Sequence, residues 1–180
     1  MIVSATTVVI GLIFQDALIA KAFPQPKYWS GRGAAYSQRN SQNELHCVAT
    51  LFKARHGAVT NEGMKRLFGM GLFAAEEKVE ESLNTQAGLT EWSVRVDLKN
   101  RVCATLTRWL DKEAVSRFRE SNKTHGWAMR HSSEWVQPGT ARVATWSILL
   151  KTPAEGADGF TDGDWQEAMS ILEERGEIRY

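Results

Sequence analysis

The amino-acid sequence predicts a mainly α-helical fold, with about five helices in one compact domain and at most a few short strands. The length of 180 residues suits one domain, and 43% hydrophobic and 24% charged residues are typical of a globular chain. Most apolar residues recur at spacings of three and four, which is the period of a helix. An α+β fold is the alternative, because strands also fit residues 92–98 and 127–136.

By composition the chain divides into an apolar N-terminal segment with a proline- and glycine-containing arm (1–35), a helical core (36–151), and an acidic C-terminal linker and helix (152–180). No basic residue precedes the apolar start, and Asp16 interrupts it before the ~20 residues that a membrane span needs. We expect a buried strand or helix there, with a subunit contact as the alternative. No membrane span is expected, and the location is intracellular or cytoplasmic, or an assembled particle.

The first half of the core contains two predicted helices. Residues 41–56 carry apolar side chains at spacings of three and four, and Gly57 ends this helix. Thr60 is a suitable N-cap for the second helix. Its apolar stripe is the clearest periodic signal in the chain and consists of Met64, Phe68, Leu72, Ala75, Val79 and Leu83.

A third, long helix is predicted to begin between Thr90 and Leu98 and to end near Glu120. The apolar residues that continue at helical spacing along it are Leu98, Val102, Leu106, Trp109 and Leu110. Apolar and polar residues alternate at 92–98, however, and this alternation fits a short strand. The choice between helix and strand at 92–98 therefore stays open.

The last third of the chain ends in two predicted helices. Residues 127–136 fit a strand or a loop, and 137–140 fit a turn. We predict a helix over 141–151 and a final helix over 161–175 that Thr161 caps and Gly176 ends. This tail resembles the end of a winged helix. The final helix exposes acidic residues, however, and DNA phosphates repel them.

The charge distribution carries the functional hypothesis. Net charge is only +1, but residues 92–151 hold eleven Lys and Arg against five acids, whereas residues 152–180 hold eight acids against two Arg. Such polarity suits a basic surface for a polyanion, or docking of the basic middle of one copy onto the acidic tail of another. We therefore predict a non-enzymatic, self-associating structural subunit, similar to a coat or nucleocapsid protein, that contacts RNA or DNA.

Seven residues are the predicted nucleic-acid contacts. On the long helix, basic side chains would project away from the apolar stripe and form a ridge: Arg101, Arg108, Lys112 and Arg119. In the N-terminal arm, aromatic and basic residues alternate as single-stranded nucleic acid requires. The arm residues are Lys27, Trp29 and Arg32. The two alternative functions are a nucleic-acid-binding regulator or adaptor with a winged-helix-like tail, and a small enzyme without a recognisable motif.

No catalytic, metal or cofactor signature is found in the sequence. Glu44, His46 and Cys47 lie close together, but no second group of ligands accompanies them at zinc spacing. His56, His125 and His131 lack a visible nucleophile or orienting carboxylate. Both cysteines lie among apolar residues, where a thiol behaves as a small hydrophobic group, so we expect no disulfide framework. The sequence therefore predicts no enzyme, no cofactor and no metal.

Overall fold

The protein has an α+β fold built on a six-stranded antiparallel sheet, so the mainly α prediction is wrong and its α+β alternative holds. A computed structural model describes residues 16–18, 21–22, 25–58, 72–149 and 159–178. The strand order is β1-β3-β4-β2-β5-β6. The strands are β1 (Lys27–Arg32), β2 (Glu44–Lys53), β3 (Leu89–Asp97), β4 (Val102–Trp109), β5 (Arg142–Leu149) and β6 (Glu177–Ile178).

Helices connect these strands and cover parts of both faces of the sheet. A 3-10 helix follows β1 at Tyr36–Ser41. The α-helices are α1 (Leu72–Asn84), α2 (Lys112–Ser121), α3 (Lys123–Arg130), α4 (Ser132–Trp135) and α5 (Asp162–Arg175). Residues 16–18 and 21–22 are also helical.

Strand β2 replaces the helix predicted over 41–56. Leu45, Cys47 and Ala49 are buried at a period of two, and Val48 packs on the opposite side. A strand with apolar residues on both faces loses the alternation that marks a half-buried strand. Its apolar residues therefore also match helical spacing, and the pattern alone does not separate the two structures.

A hairpin of β3 and β4 replaces most of the helix predicted over residues 90–120. Their ladder pairs Asp97 with Val102, and the turn between them is held by Asn100, whose backbone N–H donates to Asp97 Oδ1 at 3.0 Å. The strand alternative at 92–98 is thus confirmed. Only the end of that segment, α2, is helical, with Asp111 as N-cap accepting from the Ala114 N–H.

Two further segments differ from their predictions. Residues 127–136, predicted as strand or loop, lie mostly in α3 and α4. Residues 141–151, predicted as a helix, contain β5, which pairs with β2 along its length. Without that helix the tail has no winged-helix arrangement.

Helix α5 is confirmed with its cap and its buried face. Thr161 and Asp164 form a reciprocal capping box, and the helix ends at Gly176. The sequence signals here are local, so they identify the helix without knowledge of the rest of the fold. The buried residues of α5 are Trp165, Ala168, Ile171 and Leu172.

The sheet has two faces, which we call front and back. On the front face, α5 packs on alanines and leucine of the central strands: Ala49, Ala104, Leu106 and Ala144. On the back face, the residues that pack with α1 and α2 are Val48, Trp92, Val94 and Trp109. The Trp92 indole N–H donates to Asn84 Oδ1 of α1 at 2.9 Å.

Three predictions fall outside the described residues. These are the structure of the apolar start before Asp16, the Thr60-capped beginning of the predicted helix whose later part is α1, and residues 152–158 of the predicted acidic linker. In the described ranges, no helix has the length and apolar character needed to cross a membrane.

Candidate functional site

The basic ridge predicted for residues 101–119 does not exist, because these residues lie on different elements. Arg101 lies in the β3–β4 turn, where its side chain donates to the Ala54 carbonyl at 3.0 Å. Arg108 is buried in β4. Lys112 and Arg119 are exposed on α2, at opposite ends of that helix. The ridge depended on one continuous helix, but its members lie in a turn, in β4 and on α2.

The other three predicted contacts share one short strand. Lys27, Trp29 and Arg32 lie in β1, which forms an edge of the sheet and pairs with β3. Lys27 Nζ lies 5.8 Å from the Trp29 ring centroid, and Arg32 lies 4.4 Å from that of Tyr36. The predicted arm is thus an edge strand with aromatic and cationic side chains in contact.

Beside these residues, Tyr28 and Arg95 form a small surface on the front of β1 and β3. They are cross-strand partners, and the Arg95 guanidinium lies 4.9 Å from the Tyr28 ring centroid. The Tyr28 side chain is 53% exposed. Sequence reasoning missed Arg95 as a contact, because only the strand register places it opposite Tyr28.

A row of polar residues crosses the front face at one level of the sheet. The register aligns one residue from each of five neighbouring strands: Arg32, Glu91, Arg108, Cys47 and Trp146. We call these residues the cross-strand row. Neighbouring strands lie about 4.8 Å apart, and within the row Arg108 donates to Glu91 on the next strand.

Buried charges in this row are paired. Glu91 accepts from Arg39 at 3.0 Å and from Arg108 at 2.9 Å, and its side chain is fully buried. Arg108 also pairs with Asp164 at the start of α5. Burial alone would lower the pKa of Arg108, but its hydrogen bond to Glu91 and the two carboxylate charges raise it. Two guanidinium groups and two carboxylates therefore leave this cluster neutral.

The Arg108–Asp164 pair bears on the predicted docking of basic middle onto acidic tail. Arg108 of the basic region 92–151 pairs with Asp164 of the acidic region 152–180 within the same chain. This pair fixes the first turn of α5 to the sheet. It leaves neither charge available for an electrostatic contact with another molecule.

The edge formed by β5 is only partly covered. Strand β6 pairs with Arg142 and Val143, and no other described strand lies beside the rest of β5. Thr145, Ser147 and Leu149 point to the back face and are exposed, Leu149 to 74%. The far edge of the sheet therefore has a stretch of strand that lacks a neighbour among the described residues.

The thiols and histidines do not form a recognisable active site in the described part of the chain. Burial raises the pKa of the Cys47 thiol to about 12, and likewise that of Cys103. Burial and neighbouring cations lower the pKa of both His46 and His125. No cluster of three metal-binding side chains occurs in the described ranges. His46 and Cys47 are adjacent in β2 and point to opposite faces, so they do not converge on one ion.

One histidine does have an orienting carboxylate, which sequence reasoning missed. His56 Nδ1 lies 3.0 Å from Asp16 Oδ2, and the Gly57 backbone N–H donates to the same carboxylate at 3.1 Å. Asp16 is buried. The two side chains are 40 residues apart in sequence, so no spacing signal connects them.

Comparisons with known proteins establish no family. No family model and no curated protein matches the chain. Among solved structures, protein SO0527 from Shewanella oneidensis matches with TM-score 0.44 and 17% identity, covering 69% of this chain and 99% of that one. A "putative monooxygenase" from Lactobacillus acidophilus NCFM matches with TM-score 0.45 and 10% identity over 70% of this chain and 55% of that one. Protein NE2512 from Nitrosomonas europaea, of unknown function, matches with TM-score 0.41 and 11% identity, covering 65% of this chain and 99% of that one.

Proposed function

We propose that this chain is a non-enzymatic structural subunit that associates with a second copy of itself through the open edge of β5. The observation that carries the proposal is the part of that edge, residues 144–149, that pairs with no strand among the described residues and contains no charged residue and no proline. Unpaired strand edges bind other strands unless charges, prolines or covering elements prevent it. An antiparallel pairing of two identical β5 edges is self-complementary about a two-fold axis.

The other edge of the sheet supports this choice by contrast. Strand β1 carries Lys27 and Arg32 and follows directly after Pro26. Charged residues and prolines are the features that natural proteins place on edges that must stay single. Strand β5 has none of these features from Val143 to Leu149, so it is the edge suited to a partner strand.

A structural role also agrees with the thiols. The pKa of Cys47 is raised to about 12 by burial, so it does not supply a thiolate nucleophile at neutral pH. Both cysteines are free. Free buried thiols suit a reducing, intracellular compartment.

Sedimentation velocity over a concentration series tests the proposal with three matched variants. Ser147→Lys adds a charge to the β5 edge, Ser30→Lys adds one to the β1 edge, and Ser170→Lys adds one to α5, all at exposed positions. We expect a dimer for the wild type. Ser147→Lys should weaken it at least about tenfold, since like charges facing each other across the axis cost several kcal/mol.

The two control variants should remain dimeric. A wild-type protein that stays monomeric at about 100 µM, a concentration at which even weak specific pairs form, contradicts the proposal. So does equal weakening by all three variants, because that result would reflect net charge rather than the β5 edge.

A second candidate function is contact with single-stranded nucleic acid at the Tyr28 and Arg95 surface. The observation in its favour is an exposed aromatic ring next to a half-buried guanidinium on the front face. Bases stack on such rings with about 1–3 kcal/mol each, and cations beside them bind phosphates. Arg32 lies on the same strand and faces the same side of the sheet, so it would extend the surface.

Fluorescence anisotropy with labelled oligouridine at low and high salt tests this candidate. Tyr28→Ala should weaken binding roughly tenfold, as loss of one stacked base predicts. Arg95→Glu should also weaken binding, and more at low salt than at high salt, because it places a negative charge beside the phosphates. The matched control is Arg130→Glu on the exposed end of α3. Absence of binding at low salt, or equal weakening by the control, refutes nucleic-acid binding by this surface.

A further inference from the structure

Two arginines lie at the end of the sheet where β2 ends and β3 turns into β4. Arg101 Nη1 donates to the Ala54 carbonyl at 3.0 Å, and the Ala54 N–H donates back to the Arg101 carbonyl at 2.7 Å. Arg55 Nε donates to the Val136 carbonyl at 3.1 Å. Backbone carbonyls thus hold both guanidinium groups in place. Together with the exposed Lys99 of the same turn, we call these two arginines the basic turn.

The backbone at Arg101 is strained. Its φ is 59°, and among the described residues it is the non-glycine residue with positive φ. Glycine and asparagine adopt this left-handed conformation most easily. Strained positions of this kind cluster at functional sites. The bond to Ala54 uses one of the five guanidinium N–H groups, so this cation keeps donors that the fold itself does not use.

The carboxylate of the same hairpin does not neutralise the basic turn. Asp97 Oδ1 and Oδ2 accept from the backbone and the side chain of Asn100. Burial alone would raise the pKa of Asp97, but hydrogen bonds from Asn100 and from the Lys99 backbone and the charge of Arg95 lower it. Asp97 is therefore ionised at neutral pH, and its oxygens are engaged within the turn.

Two other acids lie near the end of β2 in the fold. Asp16 is bound to His56 and to the Gly57 N–H. Glu134 is exposed on α4 and lowers the local positive charge. In the described part of the chain, however, no carboxylate lies within ion-pair distance of Arg55 or Arg101. Both guanidinium groups therefore keep N–H donors for an external anion.

The arrangement of these cations decides which anion fits. Guanidinium groups bind carboxylate and phosphate oxygens with charge-assisted hydrogen bonds. The cations are distributed over the β3–β4 turn and the end of β2, which suits a chain of repeated phosphates. Lys99 follows Arg95 by four positions, at most about 13 Å along an extended chain. The basic turn therefore lies within a few nucleotides of the Tyr28 and Arg95 surface.

We propose that the basic turn binds the phosphate backbone of a single-stranded nucleic acid whose bases stack on Tyr28. The inference deepens the second candidate function and rests on it for the stacked bases alone. Phosphate contact at Arg55, Lys99 and Arg101 requires neither stacking nor self-association through the β5 edge.

Fluorescence anisotropy at several salt concentrations tests the proposal with two labelled probes. Oligouridine has phosphates and bases, whereas linear polyphosphate has phosphates without bases. Arg55→Gln, Lys99→Gln and Arg101→Gly each remove one cation from the basic turn, and Arg101→Gly also relieves the backbone strain. Arg130→Gln, on the exposed end of α3, is the matched control because it removes one cation elsewhere.

Each basic-turn variant should lower the slope of log Kd against log salt for oligouridine by about 0.7, the value for one phosphate contact on a single strand. Affinity at low salt should fall roughly tenfold, as loss of one charge-assisted hydrogen bond predicts. Polyphosphate binding should weaken in the same variants. Tyr28→Ala should weaken binding of oligouridine and leave binding of polyphosphate unchanged.

Three results would overturn the proposal. The first is no binding of polyphosphate at about 50 mM salt, where contacts to phosphate are strong. The second is an equal loss of slope in Arg130→Gln, which would reflect net charge. The third is oligouridine binding that depends on Tyr28 while the basic-turn variants leave the slope unchanged, which would support the second candidate function and exclude the basic turn. Lys99→Gln alters an exposed side chain, so it decides the outcome even if Arg101→Gly does not fold.

Discussion

Arg108 and Glu91 form a buried ion pair, in which Arg108 Nη1 donates to Glu91 Oε2 at 2.9 Å between β4 and β3. The pair exists because the hairpin register places the two residues directly opposite each other. Arg39, from the 3-10 helix after β1, donates to the other oxygen of Glu91 at 3.0 Å. One carboxylate thus connects three parts of the chain.

Replacement of Glu91 by Gln should destabilise the fold strongly. The amide keeps the size of the side chain but removes the negative charge, which leaves Arg39 and Arg108 buried with too few acceptors. Loss of one partner from a buried ion pair costs about 3–5 kcal/mol. Urea unfolding followed by circular dichroism measures this loss, with Glu120→Gln on the exposed side of α2 as control. A loss below about 1 kcal/mol, the usual value for an exposed pair, contradicts the prediction.

Two glycines with positive φ separate the cost of backbone strain from the cost of a steric clash when glycine is replaced by alanine. Gly88 has φ 79°, and a Cβ there would lie 2.5 Å from the Ala114 Cβ of α2. Gly139 has φ 73° with nothing within 4 Å of such a Cβ. Gly139→Ala should cost about 1–2 kcal/mol of backbone strain, and Gly88→Ala should cost clearly more because of the clash. Equal Tm shifts for the two variants would show that α2 moves away from Gly88 without cost.

The sequence predicts parts of this fold whose signals are local. Thr161, Asp164 and Gly176 mark both ends of α5 correctly, because caps and a terminating glycine act within a few residues. Strand β2 gives the opposite result. Its front residues pack on α5 and its back residues pack against α2. Residues on both faces of the strand are therefore apolar, and some of them fall at helical spacing by coincidence.

The polar sites depend on register, which a single sequence does not reveal. Arg39 and Glu91 are 52 residues apart, and only the sheet topology brings them together. One usable signal was missed in the hairpin. Asp97 and Asn100 are turn-forming residues, and Asn100 Nδ2 donates to Asp97 Oδ2 at 2.7 Å. That pair marks the break between β3 and β4 inside the segment predicted as one helix.

The Cys47 thiol should make the fold sensitive to alkaline pH. Burial raises its pKa from the ordinary value of 9.0 to about 12. Between these values the unfolded thiol loses its proton while the folded thiol keeps it, so stability falls as pH rises above 9 by about 1.4 kcal/mol for each pH unit. Unfolding free energies at pH 8 to 11 should therefore fall less steeply in Cys47→Ala than in the wild type. Parallel slopes would refute a raised pKa.

Asp164 should contribute more to stability than Thr161, although both belong to the capping box of α5. Thr161→Ala removes one cap acceptor and should cost about 0.5–2 kcal/mol. Asp164→Ala removes its partner in the cap and also the carboxylate that pairs with buried Arg108. If the ion pair matters, Asp164→Ala should exceed Thr161→Ala by at least about 1 kcal/mol, and the difference should disappear in an Arg108→Met background. An undiminished difference in that background would mean that Asp164 stabilises α5 through the cap alone.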